Sequence, residues 1–396
     1  MIYIAIGSNL GDRHQNLERA IGLLKKRYFP NLHSSKILET EAIVPEGAPS
    51  EWSTPYLNML VWGQCDIEPY ELLRALQRIE SEIGRPEVRD KWAPRIIDLD
   101  IILWDGISMN EPELKIPHHE LQNRPFWLQL LKEAMQAKLV GIVNITPDSF
   151  SDGGLYNSPI NAITRALELA QDGANIIELG AQSTRPGATL IGHRDEIDLL
   201  RPVLDGLAGS GINLSVDSFE PEVIDMILRN YDDVKWINDV RGDLSKRTLS
   251  VIAEKGLDIV TMHSLAIPAD KNICISDAAP PIETIMNWAK LKIEFLMGCG
   301  FHLDKIIVDP GIGFSKNPAQ DIALLKEAGK LKRLGCRTMI GHSRKSFISS
   351  FSYSEAKDRD IETLAISDYL NDKTDYLRVH NIKDHVKFFR ARGVVG

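Results

Sequence analysis

The sequence predicts two domains of different class: an N-terminal α+β sandwich of ferredoxin-like type over residues 1–133 and a C-terminal (β/α)8 barrel over residues 139–396. Three observations lead there. A chain of 396 residues exceeds what one hydrophobic core ordinarily supports. Its first third reads strand–helix–strand–helix–strand with a long loop between, the order of a compact α+β sandwich. From Leu139 onward, short apolar runs ending in polar or glycine residues alternate with helical stretches through eight cycles, in the span a (β/α)8 barrel ordinarily occupies.

In chain order, MIYIAIG alternates as a strand, NLERAIGLLKKRY repeats at helical spacing and YLNMLVWGQC reads as a strand. PYELLRALQRIESEIG reads as a helix starting near Pro69, RIIDLDIILW as a strand, and Leu121–Ala134 as a further helix. A long loop, Thr40–Thr54, interrupts this series. Residues 134–138 form a short linker without a Gly/Ser or Pro-rich tract. The barrel strands are expected in LVGIVNITPDS, NIIELGAQS, NLSVDSF, VKWINDVRG, DIVTMHS, KIIVDPGIG, TMIGHSRKS and YLRVHN. Helical stretches such as NAITRALELAQDGA, PEVIDMILRN, LSVIAEKG and IALLKEAGKLKRLG lie between them. A doubly wound sheet can share this alternation, but its first strand usually leads into a Gly-rich dinucleotide turn, and here it ends in NITPDSF.

Composition restricts the function. A net charge of −9 argues against nonspecific nucleic-acid binding, while leaving room for local cationic clusters that take phosphates. No run approaches the length of a membrane span, and the apolar opening is too short for a signal peptide. Cys65, Cys274, Cys299 and Cys336 form no CxxC, which suits a reducing cytoplasm.

RDKWAPRIIDLDIILW (89–104) places Asp98 and Asp100 inside a buried-strand vocabulary. At i and i+2 they share a face, roughly 6.6 Å apart along the strand. Unpaired burial of two anions is costly, so cations must compensate. Hard divalent ions with substrate phosphates are one answer; Arg89, Lys91 and Arg95 supply donors, and Trp92 offers a stacking face. The bland alternative is a solvated D-x-D at an exposed strand end.

The run resembles the WxPRxxDLDI motif of 6-hydroxymethyl-7,8-dihydropterin pyrophosphokinases, and YIAIGSNLGD, PYLNM, EIGR and PHHELQNRPF follow the family order across 1–133. The resemblance implies that Asp98 and Asp100 hold two Mg2+ under the co-substrate ATP and that Asn58 and Phe126 contact the pterin. It also implies that Arg85, Trp92, Arg95, His118 and Arg124 serve the nucleotide, its phosphates or loop closure. His119, where the family often has Tyr, and the less basic loop PEVRDK depart from the pattern.

In the barrel, strand ends carry Asn144, Thr184, Arg185, Asp217, Asn238, Met262, His263, Asp309, Lys345, Arg378 and His380. Catalytic groups of such barrels sit at those ends. Lys345, Arg185, Arg378 and His380 suggest a cationic pocket, and Asp217, Asn238 and Asp309 can hydrogen-bond a flat amidine-like ring. Polar strand ends meeting solvent are the bland alternative. GIVNITPDSFSDGG, ELGAQSTRPGA, SVDS, INDVRG, VDPGIGF, GHSRKSF and RVHN resemble dihydropteroate synthases, a sulfonamide-target class, over 139–396.

That resemblance implies a pterin site of Asp217, Asn238, Asp309 and Lys345 walled by Met262, Phe314 and Gly341. Asn144 (through one Mg2+), Arg378 and His380 would take the pyrophosphate, and Phe150, Thr184, Arg185, Pro186 and Ser343 would shape a p-aminobenzoate pocket beneath closing loops 148–154 and 183–189. Gln182 stands where many relatives carry Glu. The expected activity is a folate-pathway fusion in which the first domain makes the pterin pyrophosphate the second condenses, with no protein nucleophile. A pterin-binding methyltransferase barrel and a non-catalytic first domain are the competing readings. A homodimer through the barrel is a family expectation.

Overall fold

The structure, a computed structural model, describes residues 1–30, 32–86, 92–145, 159–184, 187–270 and 272–395. The chain divides into two compact units, Met1–Gln136 and Ala137–Gly396.

Unit 1 is an antiparallel sheet with helices on both faces. Its elements are β1 (Ile2–Ser8), α1 (Arg13–Arg27), β2 (His33–Ser34), β3 (Leu38–Thr40), β4 (Tyr56–Gly63), α2 (Pro69–Ile83), β5 (Asp98–Trp104), β6 (Met109–Asn110), β7 (Lys115–Ile116) and α3 (Pro125–Met135). The main sheet runs β2-β4-β1-β5, and β3 also pairs with β4. Leu17 and Leu24 of α1 and Leu72, Leu76 and Ile79 of α2 bury against Ile4, Ile6, Val61, Leu99 and Ile101. Trp127, Leu130 and Leu131 of α3 cover Tyr3, Ala5, Leu60 and Ile102 on the other face.

α2 begins at Pro69, where a missing N–H costs nothing, and ends at Gly84 in the left-handed region (φ 118°). α3 starts later than its periodicity suggests. Leu121–Asn123 is a separate 3-10 turn, and Pro125 opens the helix because its ring cannot lie in a helix interior.

β5 carries the two aspartates and sorts its side chains unevenly. Asp98 and Asp100 pair with Gly7 and Ala5, and the register shifts at Tyr3/Ile4, opposite Ile101–Leu103. Before the shift, Leu99 and Ile101 face α1 and α2; after it, Ile102 and Leu103 both face α3.

Unit 2 is a closed parallel barrel, β8-β9-β10-β11-β12-β13-β14-β15. Its elements are β8 (Lys138–Asn144), α4 (Pro159–Gln171), β9 (Ile176–Gly180), α5 (His193–Leu207), β10 (Leu214–Asp217), α6 (Pro221–Asn230), β11 (Val234–Asp239), α7 (Lys246–Glu254), β12 (Asp258–Met262), α8 (Pro281–Met297), β13 (Ile306–Asp309), α9 (Pro318–Lys326), β14 (Arg337–Ile340), α10 (Asp360–Leu370), β15 (Tyr376–Val379) and α11 (Ile382–Val395). The run IALLKEAGKLKRLG is not one helix. α9 stops at Lys326, a 3-10 turn spans Ala328–Leu334, and Gly335 closes it at φ 77°. The main core lies between strands and helices, and Val140, Ile176, Trp236, Val260, Ile307, Met339 and Tyr376 plug the strand-entry end of the lumen.

Candidate functional sites

In unit 1, Asp98 is clamped between two guanidiniums. Arg85 Nη1 lies 2.7 Å from its Oδ1 and Arg95 Nη1 2.7 Å from its Oδ2. Arg85 also grips Glu80, a residue the sequence reading passed over. Glu80 sits on the apolar side of α2, four residues after Leu76, and its Oε1 accepts the Leu99 N–H at 2.8 Å, joining helix to strand. Burial pushes the Glu80 carboxyl up to about 8, with Arg85 opposing and Asp98 adding to the rise.

Asp100 has a different environment. Its one ion-pair contact among the described residues is His118 Nε2 at 3.9 Å. Burial, then the charge of Asp98, raises the Asp100 carboxyl to about 7. The His118 imidazole offers little compensation, because burial and His119 hold it down to about 4. A half-buried carboxylate lacking a firm cation partner among the described residues, beside a second carboxylate, makes a donor pair that fits a hard divalent ion completed by substrate phosphates. No group of three or more His, Cys, Asp or Glu among the described residues is arranged to hold a metal unaided.

The remaining unit 1 residues surround this pair. Asn58 is buried on β4 and donates to Thr40 Oγ1 at 2.8 Å. A Cβ on Gly7 would come within 3.1 Å of Asn58 Oδ1, so glycine leaves the amide its space. Arg124 lies 4.5 Å over the Trp127 ring, Trp127 meets His118 edge-on at 5.1 Å, and Phe126 packs against Trp127. Tyr56, also unforeseen, has its phenol raised by burial beside Arg95 and Asp98. Trp92 is exposed, and Arg89 and Lys91 lie outside the described residues.

The barrel site is assembled around Glu178, which the sequence reading did not single out. Only 1 % exposed, it accepts from Asn238 Nδ2 at 3.0 Å and Ser215 Oγ at 3.3 Å, and it grips Arg378 Nε. Arg378 Nη2 also reaches Asp217 Oδ2 at 3.5 Å. One carboxylate thus ties β9 to β10, β11 and β15. Burial and then Glu178 push the Asp217 carboxyl well up, with Arg378 opposing.

Across the barrel mouth, burial raises the Asp309 carboxyl, and Lys345 is the main opposing charge. Burial brings the Lys345 ammonium down to about 8; it donates to the Ile312 carbonyl and lies 4.5 Å over the Phe314 ring. Phe314 packs with Met262, Phe219 and Val240. A Cβ on Gly341 would make ordinary contact with Arg378 and Asp309 at 3.6–3.8 Å, and one on Gly180 with Asp217 and Asn144 at 3.6–3.9 Å, which places both glycines in the floor beside these side chains. Ser343 Oγ and His380 Nδ1 are 2.9 Å apart, which brings Ser343 onto the pyrophosphate candidate His380.

Thr184 is pinned by its carbonyl, which accepts the Ala269 N–H at 3.1 Å. Gln182 anchors the same loop: its amide donates to the Ile191 carbonyl and to Glu196 Oε2, both at 2.9 Å. A carboxylate there would face Glu196, whose own carboxyl burial already raises. Phe150, Arg185, Pro186 and the loop 148–154 lie outside the described residues.

Comparison with known proteins follows this division. A family profile described as 7,8-dihydro-6-hydroxymethylpterin-pyrophosphokinase (HPPK) matches residues 3–136, and one described as Pterin binding enzyme matches residues 140–380. The "Folate synthesis bifunctional protein" of Chlamydia trachomatis is 34 % identical over 100 % of this chain and 98 % of its own length. Its namesake from Chlamydia caviae is 33 % identical over 98 % and 97 %. Among solved structures, Yersinia pestis dihydropteroate synthase with a sulfonamide drug complex covers 66 % of this chain and 95 % of its own, at 30 % identity and TM-score 0.60. The Anaplasma phagocytophilum enzyme with bound 6-hydroxymethylpterin-monophosphate matches at 28 % identity and TM-score 0.59, over 66 % and 100 %. With both profiles in order on one chain and relatives aligned from end to end, this chain belongs to the bifunctional folate-synthesis proteins that join a hydroxymethyl-dihydropterin pyrophosphokinase to a dihydropteroate synthase.

Proposed function

We propose that residues 1–133 transfer pyrophosphate from ATP to 6-hydroxymethyl-7,8-dihydropterin, releasing AMP, and that residues 139–396 condense the product with p-aminobenzoate. The observation that carries the reading is the convergence of Asp217, Asn238, Asp309, Lys345 and Arg378 at one barrel mouth, together with the Asp98/Asp100 pair in unit 1.

In the first site, Asn58 and Phe126 position the pterin, and Arg85, Arg95, Arg124, His118 and Trp92 receive ATP. Arg85 and Arg95 are placed to exchange Asp98 for phosphate oxygens, which frees that carboxylate. Asp98 and Asp100 would hold two Mg2+, supplying charge neutralisation for phosphoryl transfer. In the second site, Asp217, Asn238, Asp309 and Lys345 bind the pterin ring, between Met262, Phe314 and Gly341. Arg378 and His380 stabilise the charge that develops on the departing pyrophosphate. Asn144 would carry one Mg2+ for the same charge. Thr184, Arg185, Pro186, Phe150 and Ser343 would border the arylamine; the C–O bond breaks with its electron pair leaving on pyrophosphate, the arylamine nitrogen then bonds to the carbocation-like methylene carbon, and the resulting ammonium gives its proton to solvent. We assign the protein to the cytoplasm, with a homodimer through the barrel as a family expectation.

The test supplies hydroxymethyl-dihydropterin, Mg-ATP and p-aminobenzoate and follows AMP and dihydropteroate together. Asp98→Ala should lose AMP formation by more than about a hundredfold while condensing supplied pterin pyrophosphate normally. Lys345→Ala should do the reverse. AMP production surviving within severalfold in the first variant would refute the carboxylate assignment. AMP without dihydropteroate from the native chain would favour a methyltransferase barrel.

A further inference from the structure

The strand-entry end of the barrel, remote from the reacting groups, carries an open cavity of about 390 Å3. Lys138, Lys235, Lys305 and Arg337 line it, with Asp258 as its one lining carboxylate among the described residues. Asp258 is already engaged by Lys305 Nζ at 3.2 Å and Arg337 Nη2 at 2.9 Å. The neighbouring Asp375 is occupied by the Thr338 N–H and hydroxyl, at 2.8 and 3.1 Å. Four cations therefore line a cavity holding one paired anion, with Asp375 beside it as a second, in a chain of net charge −9.

Fold maintenance leaves part of this unexplained. Lys235 donates to the Asp232 carbonyl at 2.7 Å and Lys305 to the Gly256 carbonyl at 3.0 Å. Each bond satisfies one ammonium proton without cancelling the charge. Arg337 Nε is buried without a hydrogen-bond partner among the described residues. Trp236 and Tyr376 are themselves buried in the plug, so the cavity offers donors rather than an aromatic slot. Clustered ammonium groups around a planar guanidinium suit a multiply charged oxyanion.

We propose that this cavity binds a compact phosphate-class oxyanion, with Lys138, Lys235 and Arg337 as its donors. None of its lining residues belongs to either reaction site. Pyrophosphate, released by the condensation, and inorganic phosphate are the two sources of that chemistry.

The test titrates full-length protein with pyrophosphate, and separately with inorganic phosphate, by calorimetry in metal-free buffer. Three chains are compared: native, Lys138→Gln/Lys235→Gln, and Arg378→Ala. Both lysines are exposed, so their replacement should leave folding and both catalytic activities intact. Expected is a binding component that persists in Arg378→Ala and weakens at least about tenfold in the lysine variant. Pyrophosphate binding much more tightly than phosphate would identify the reaction product as the ligand; equal affinities would identify a general phosphate site. Identical isotherms for the native and lysine-variant chains, or no saturable component in Arg378→Ala, would overturn the proposal. Should the double variant fold poorly, Lys235→Gln alone provides the same comparison.

Discussion

Replacing Glu178 with alanine tests the barrel's polar centre most directly. The substitution removes an acceptor from Asn238 and Ser215 and the closer of two carboxylates facing Arg378. Breaking a buried ion pair typically costs 3–5 kcal/mol, but Asp217 remains beside the guanidinium and the Ser215 hydroxyl can rotate. A loss of roughly 3 kcal/mol follows, most of it from the weakened pair and the orphaned Asn238 amide. For a unit of this size that lowers its melting temperature by about 6–12 °C. Condensation should fall more steeply than stability, because Asn238 and Arg378 both lose their anchor, whereas AMP formation should be unaffected. Calorimetry and the two-product assay read these outcomes separately. The Glu178→Leu/Arg378→Met double variant should recover only the part of the loss that comes from the unpaired guanidinium, because Asn238 and Asp217 still lack their partners, and should not recover condensation. A melting temperature within about a degree of native, with condensation unchanged, would show that Glu178 ties nothing together.

Two buried histidines should contribute acid lability to the barrel, opposed by the raised carboxyls of Asp217, Asp309 and Glu196. Burial lowers the His263 and His342 imidazoles to about 4, below the ordinary 6.5. The unfolded chain therefore binds more protons between these values, and stability present above pH 6.5 is lost as pH falls through the window, by up to about 3 kcal/mol per histidine. The melting-temperature difference between the native chain and His342→Gln, measured from pH 7 to 4.5, should shift in the variant's favour as pH falls; a pH-independent difference would contradict the assignment. Gly311→Ala places a Cβ 2.0 Å from the His263 carbonyl oxygen at φ 70°, so it should destabilise the barrel by more than about 2 kcal/mol. Urea denaturation would measure it, and an unchanged midpoint would mean that the loop after Asp309 relaxes freely.

The sequence revealed the barrel because each strand is short, apolar and abruptly terminated, so its polar end is visible without knowing the strand's neighbours. Asp217, Asn238, Asp309 and Arg378 were legible for that reason. Glu178 was not: it lies within the apolar run NIIELG, and the arginine that explains it is 200 residues away. Glu80 was hidden likewise on the apolar side of α2, where its partners Arg85 and the Leu99 N–H come from later segments. The late start of α3 could be read from Pro125, since local sterics outrank periodicity there. Arg95 is readable beside the aspartates as a phosphate donor and Arg85 only through the family resemblance, while their shared grip on Asp98 depends on segments that meet at β5 only in the fold.

The irregularity in β5 has a further consequence. A regular strand transmits phase along its whole length, so a one-residue slip exchanges every inward and outward side chain. Here the shift opposite Tyr3/Ile4 acts as a phase break. Upstream, alternation turns Asp98 and Asp100 to one face and sends Leu99 and Ile101 into the packing on the other. Downstream, consecutive Ile102 and Leu103 serve one wall. A deep mutational scan of this strand should therefore produce a two-part barcode: activity and stability defects alternating over 98–101, then an unbroken block of stability defects beginning at 102.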